Sequence, residues 1–489
     1  MILIIMNMKN LFKLYSLIFA SLLIVSCGDE DLEPTLAMDK DSVTGIQSAD
    51  DLRSVLNSAY NRMTSTSYYM MEFIALGDVR TDNMYSNVNS GRGTESSMDH
   101  SPQGYGPWAA IYRVIAITNI VINADHASLE GNPAEIDYIV GQAHAIRALC
   151  HFDLLRNYGQ HFVDGQGGAN ALGVPYVKTY KDPANLQPSR DTVLSNVTDI
   201  MSDFQGGIAL MSNGAVNQDS SYMSADAAYA LMARAALYFG SVDSSFYATA
   251  GAAAKWVIDN SSATPVSAAA FKASYYTDNA SNSLFELEAT GTDNPSINGL
   301  AYAFRGTSYG YYRILTGDNC AACGDDLYDI FAADAATDVR FTVNGMIGTQ
   351  QGEPTVIGKY PTMNGTDNIT IIRVEEMHLI YAEALLRAGN TAGALTYLNN
   401  IPAIRGGTPY TTATLDNILL ERRKEFYAEG LRFYDLARTG QSMPLINSLK
   451  QLNDDKDGTP PQFGSYRYAY PISISERNAN PNIVQNAGY

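Results

Sequence analysis

Apolar residues recur at three- and four-residue intervals along much of this chain, and that spacing predicts long helices. In "GQAHAIRALCHFDLLRNYG", Ala145, Ala148, Leu149, Phe152 and Leu155 share one helical face, and Gly159 suits the C-terminal cap. "ADAAYALMARAALYFG" closes at Gly240, and "EEMHLIYAEALLRAGN" closes at Gly389 and Asn390. The last two align without gaps, Ala233 over Ala382, Ala235 over Ala384 and Gly240 over Gly389. Each is followed by a second Ala-containing helix, "YATAGAAAKWVIDN" and "TAGALTYLNNI". Small residues between two antiparallel helices are what tetratricopeptide-type hairpins require for close approach. The two units are not contiguous, so they do not make a plain solenoid. "LDNILLERRKEFYAEGLRFYDLAR" predicts a further helix.

Between the helices lie segments with neither period, over 64–107, 159–190, 260–372 and 440–489, rich in Gly, Asn, Ser, Thr, Asp and Tyr. Irregular segments of this length in a compact chain are usually functional. The fold class is therefore mainly α: a helical scaffold with tetratricopeptide-like hairpins and long irregular loops that contain short strands. An N-terminal part runs to about residue 215 and a C-terminal part starts at about residue 270.

The first residues change the picture. Lys9 and Lys13 are the only charges before Cys27, and "LYSLIFASLLIV" separates them from Ser26. A basic patch, a short apolar core and a small-residue seam read as a signal peptide over 1–26. The run is shorter than the ~20 residues that span a bilayer. "LIVSC" has the bacterial lipobox pattern, in which cleavage precedes the cysteine and its thiol takes a diacylglycerol. Cys27 is thus the expected lipid anchor, and the acidic stretch 28–40 a solvated tether. The net charge is −19, or −21 without the two lysines ahead of Cys27. That charge repels nucleic acid and anionic membrane surfaces, so membrane contact falls to the lipid. Cys150 sits in a helical pattern and is expected to be buried. Cys320 and Cys323, in "CAAC", allow either a short disulfide or two thiols.

Two segments carry ligand-binding chemistry. "ALGDVRTDNMYSN" places Asp78, Arg80, Asp82, Asn83 and Tyr85 in one short loop. Carboxylates accept, a guanidinium donates as a fork and amides do both, which suits vicinal hydroxyls. Asp78, beside Gly77, is the structural member. "AYAFRGTSYGYYRIL" is the densest aromatic run. Tyr302 and Phe304 are read on one side of a strand, with Tyr309 and Tyr311 alternating with Tyr312. Tyrosine faces stack on the C–H face of a pyranose while the hydroxyl stays polar. The candidate ligand-binding residues are Arg80, Asp82, Asn83, Tyr85, Tyr302, Tyr309, Tyr311 and Tyr312, expected to converge in a shallow cleft.

The remaining charged features read as structural. In "ERRKEFYAEGLRFYDLAR", Glu429, Arg432, Asp435 and Arg438 follow at i,i+3 and predict an ion network along one helix. His144 and His151 are seven residues apart on one helix, about 10 Å along its axis, too far to share a metal. Asn453 to Pro461 has calcium-ligand residue types without the spacing of an EF-hand. No nucleophile elbow, phosphate loop or HExxH is present, so no catalytic residue, metal or cofactor is assigned.

Several marks together resemble the SusD/RagB family of outer-membrane lipoproteins: the lipobox, "WAAIYRVIAITNIVIN", "QAHAIRALCHFDLLRNYG", "RVEEMHLIYAEALLRAGN", "LLERRKEFYAEGLRFYDLAR" and the terminal "YPISISERNANPNIVQNAGY". The resemblance implies a surface-exposed, mainly α-helical lipoprotein that caps a SusC-like TonB-dependent transporter. It implies capture of oligosaccharides, or in some members peptides, for import. A surface glycoside hydrolase on a helical scaffold is the reading from a different class.

Overall fold

Helix starts follow the local capping chemistry. The computed structural model describes residues 45–87, 98, 100–212, 218–306, 310–317, 324–452 and 459–489. Helix α1 (Ala49–Met63) begins after Ser48, whose hydroxyl accepts the Asp51 N–H at 3.2 Å, with Asp50 and Asp51 in the positive first turn. After α2 (Glu72–Val79) and α3 (Trp108–Ile122), Asn132 caps α4 (Pro133–Tyr158), which opens on a proline. The sequence predicts one apolar face for α4. In the structure the helix is buried on nearly every side from Ile136 onward, because α1, α3 and α5 (Val193–Ser212) pack around it. Gly141 and Gly207 allow the closest approach: a Cβ on either would lie 2.6–2.7 Å from the other's carbonyl oxygen.

The two aligned segments do form helical hairpins, α6 (Ala225–Phe239) with α7 (Phe246–Asn260), then α10 (Val374–Arg387) with α11 (Thr391–Arg405). Between them in the chain lie two short helices, α8 (Leu300–Arg305) and α9 (Leu327–Ala332). Helix α7 packs on α10, where a Cβ on Gly251 would sit 2.8 Å from that of Ala384. Ala233, Ala235 and Ala382 are fully buried. The turn between α10 and α11 uses Gly389 at φ +80°, and the Asn390 side chain caps α11 by accepting from the Gly393 N–H at 3.0 Å. Asn390→Ala is expected to cost about 1 kcal/mol, read as a lowered denaturation midpoint with an unchanged slope.

The predicted helix over 415–438 is two helices, α12 (Leu415–Phe426) and α13 (Arg432–Arg438). The break has a tertiary cause. Gly430, at φ +76°, lies against α2 so tightly that a Cβ on Gly77 would be 2.1 Å from the Gly430 carbonyl oxygen. The Gly430 N–H is taken by Asp78 at 2.7 Å. Two short helices follow, α14 (Ser448–Gln451) and α15 (Ile474–Ala479).

The strands are short and pair antiparallel in twos: β1 (Met84–Ser86) with β3 (Tyr312–Ile314), β2 (Ser283–Leu287) with β6 (Ile369–Arg373), and β4 (Ile347–Gln350) with β5 (Glu353–Val356). Residues 300–305, read from the sequence as strand, are helix α8. Gln47–Tyr489 forms one compact unit. Among the described residues no helix is long and apolar enough to cross a membrane.

Candidate functional site

The two segments predicted to carry the ligand site meet in space. Strands β1 and β3 pair with Tyr85 opposite Arg313 and Ser86 opposite Tyr312, and the Asn87 N–H donates to the Tyr311 carbonyl at 2.8 Å. The convergence is as expected; the open cleft is not. Arg80, Asp82, Asn83, Tyr85, Tyr311 and Tyr312 are all buried, none more than 3 % exposed. Tyr302, on α8, is half-buried, and Tyr309 lies outside the described residues.

Local bonds and partners distant in sequence together hold these buried residues. Arg80 donates through Nε to the Leu76 carbonyl at 2.8 Å and through Nη2 to Asn157 Oδ1 at 3.1 Å, and its guanidinium lies 3.6 Å from the Phe433 ring centroid. Asp82 accepts a forked pair from Arg432 at 2.8 and 2.7 Å and lies 3.1 Å from Arg423. Burial alone would raise its pKa, but Arg423 and Arg432 hold it down at about 2. Asn83 donates to Asp78 Oδ1 at 2.7 Å and accepts from Arg423 Nε at 2.8 Å. Burial pushes Asp78 up to about 6 against those bonds. The Tyr85 hydroxyl donates to Glu353, and the Lys450 ammonium lies 5.0 Å from its ring centroid. Tyr311 reaches Met71 Sδ at 3.6 Å. A polar loop in a sequence suits a ligand or a set of buried counter-charges equally well, and here the counter-charges come from α12 and α13. These six residues correct the expected open cleft: all are packed inside the fold.

The charged helix is a structural ion network, with different pairings from those expected. Of the three expected i,i+3 pairs, Asp435 and Arg438 meet, at 2.9 Å, and Glu421 and Lys424 add another at 2.9 Å. Arg438 forks onto Glu383 at 2.8 and 2.7 Å, and Arg422 reaches Asp435 at 2.7 Å. Glu429 turns to Lys359 at 2.6 Å and Arg373 at 3.0 Å, because the chain leaves the helix before it. Glu425 takes Arg373, Arg405 and Arg340 at 2.6, 2.8 and 3.4 Å. Despite full burial, which would raise it, Glu425 stays well below the ordinary carboxylate range because of these three arginines. Carboxylates so engaged hold no proton to donate at neutral pH.

The histidines are structural too. His144 contacts Asp203 at 2.9 Å, and His151 stacks on Tyr176 at 3.7 Å between centroids. Among the described residues no group of three or more His, Cys, Asp or Glu is placed to hold a metal. Residues 453–458 of the calcium-like run, and Cys27, Cys320 and Cys323, lie outside the described residues; Cys150 is buried.

An open cleft of about 230 Å³ lies elsewhere on the described surface, between α1 and the chain that follows β2. Tyr60, Tyr222 and Leu287 give it an apolar lining, and Asn57, Glu288 and Asp293 a polar rim. Sequence reasoning passed over it: Tyr60 reads as core of α1, and 162 positions separate it from Tyr222.

Comparison with known proteins adds to this geometry. Residues 339–489 match the model of the SusD family, and residues 31–237 match a family described as starch-binding and associating with the outer membrane. The starch-binding protein SusD of Bacteroides thetaiotaomicron is 31% identical over 197 residues, 36% of this chain and 33% of that protein. The SusD-like protein P38 of Formosa agariphila is 30% identical over 161 residues, 29% of each. The chain thus aligns with about a third of the length of these curated relatives. A solved SusD-superfamily protein of B. thetaiotaomicron superposes with a TM-score of 0.77 at 27% identity, covering 90% of this chain and 99% of that one.

Proposed function

The chain belongs to the SusD/RagB family, and from that premise we propose that it is a cell-surface lipoprotein that captures oligosaccharide or polysaccharide nutrients and hands them to a SusC-like TonB-dependent transporter. The observation that carries this reading is the near-complete superposition on a SusD-superfamily structure, taken with the similarity to a starch-binding relative. It is a binder and not an enzyme in this reading. Of the expected set, Tyr302, half-buried on α8, is the described member that reaches the surface, and the ligand contact is assigned to it. The helical hairpins are tetratricopeptide-like units of the scaffold.

Anchoring follows from the "LIVSC" seam. A single acyl chain binds a membrane only marginally, so a diacylglycerol on Cys27 is what makes attachment stable. Cys27→Ser is expected to move the protein from the outer-membrane pellet to the soluble fraction or to leave an unprocessed precursor. Mass spectrometry of mature protein from the native host, finding Cys27 unmodified, would reject the anchor.

Gentle detergent extraction followed by affinity purification tests the partnership, with a co-purifying β-barrel as the expected result. Purified protein should bind a glycan without releasing reducing ends. Repeated recovery without a barrel, or turnover of the glycan, would be decisive against the proposal.

A further inference from the structure

The cleft beside α1 joins two kinds of surface that sugars need together. Its floor is apolar: Leu287 is buried, and the Tyr60 and Tyr222 rings meet edge to face, 5.5 Å apart at 80°. The Met223 N–H donates to the Tyr60 hydroxyl at 3.0 Å, which locks the Tyr60 ring as a wall. The irregular segment that brings Tyr222 is tied to β2 by the Glu286 N–H, donating to the Ser220 carbonyl at 2.9 Å. Across the rim, Asn61 Nδ2 donates to Asp293 Oδ2 at 2.9 Å, tying α1 to the turn after β2. Asn57 and Glu288 are exposed, and among the described residues neither their side chains nor the Tyr222 hydroxyl has a hydrogen-bond partner.

We propose that this cleft is a binding subsite for one neutral or amino-sugar ring of a glycan chain, and that it excludes uronates and sulfated sugars. The proposal rests on the glycan-binding reading above and names the ligand class at a place that reading does not specify. The ring lies with its C–H face on Tyr222 and its edge toward the Tyr60 wall, since an aromatic face attracts the partly positive hydrogens of a pyranose. Its hydroxyls donate to Glu288 and Asp293 and exchange bonds with Asn57. The volume of about 230 Å³ is below the ~300–1,000 Å³ of sites that enclose drug-sized ligands. It suits a single ring with the rest of the chain running into solvent. The charge selection comes from the rim. Two carboxylates face the ligand, no Lys, Arg or His among the described residues lines the cleft, and the chain carries −19 overall. An anionic sugar would be set against like charge with no cation to compensate, whereas an ammonium would be attracted.

An array of neutral, amino, uronic and sulfated oligosaccharides, probed with lipid-free wild-type protein, Tyr222→Ala and Glu288→Lys, tests the subsite, with affinities of the hits measured by calorimetry. Wild type is expected to bind neutral or amino members only. Tyr222→Ala should weaken those hits by about tenfold or more, the loss typical of a hot-spot aromatic. Glu288→Lys, at an exposed position that leaves folding intact, should weaken amino-sugar hits and admit uronates; it decides the matter if Tyr222→Ala does not fold. Hits unchanged in both variants would overturn the subsite and leave glycan binding standing. A uronate or sulfated hit that Tyr222→Ala abolishes would overturn the charge assignment. A wild-type protein that binds nothing on the array would overturn the glycan reading and the subsite with it.

Discussion

Arg405→Ala will destabilise the protein by about 3–5 kcal/mol, the cost of leaving buried charge uncompensated. Arg405 is fully buried, donates to Glu375 at 2.8 Å and to Glu425 at 2.8–3.2 Å, and also reaches the Val266 carbonyl. Its loss takes one of three arginines from Glu425 and the nearest one from Glu375, and opens a cavity beside Phe271, whose ring centroid lies 4.5 Å from the guanidinium. Arg405→Lys should recover little, because an ammonium cannot serve both carboxylates with a planar fork. The pH dependence separates charge from packing. A buried glutamate that loses one of its arginines has a higher folded-state pKa than in wild type. The stability deficit of Arg405→Ala should therefore shrink as pH falls, because the less compensated carboxylate takes up a proton more readily than in wild type. Arg405→Met, which fills the space without charge, should show the same trend. Chemical denaturation between pH 5 and 8 measures it; a deficit below 1 kcal/mol, or one independent of pH, would show that the ion network does not hold α11 to α10 and α12.

Asp82→Ala is expected to cost a similar amount, about 3–5 kcal/mol, because Arg432 and Arg423 then lose their shared carboxylate while buried. The native pKa provides the check. Held at about 2 in the folded chain, against an ordinary 3.8, Asp82 contributes stability that is complete above pH 4 and is lost as pH falls through 2. The displacement corresponds to about 2 kcal/mol, at 1.36 kcal/mol per pH unit. Asp78 works in the opposite sense: raised to about 6, it favours the fold below pH 4 and ceases to as pH rises through 6. The two windows do not overlap, so the difference between wild type and Asp82→Ala below pH 4 isolates Asp82. Stability curves for the two proteins that run parallel from pH 5 to 2 would mean that Asp82 is not the counter-ion assigned to it.

These two residues also show how far the sequence reaches. The helical hairpins and the buried Cys150 could be read from periodicity and capping residues. Those signals are local: a helix face repeats within four residues, and a cap acts over three. Whether Arg80, Asp82 and Asn83 face solvent or core is not local. It depends on Arg432 lying 350 positions from Asp82, and Arg423 lying 340 from Asn83. The same holds for the break at Gly430, which comes from contact with Gly77 and Asp78, and for the cleft shared by Tyr60 and Tyr222. The order of residues settled where the long helices run, although 300–305 and the break at Gly430 escaped it. Which polar side chains stay in water was decided by packing, because a charge can be buried only where the fold delivers an opposite one.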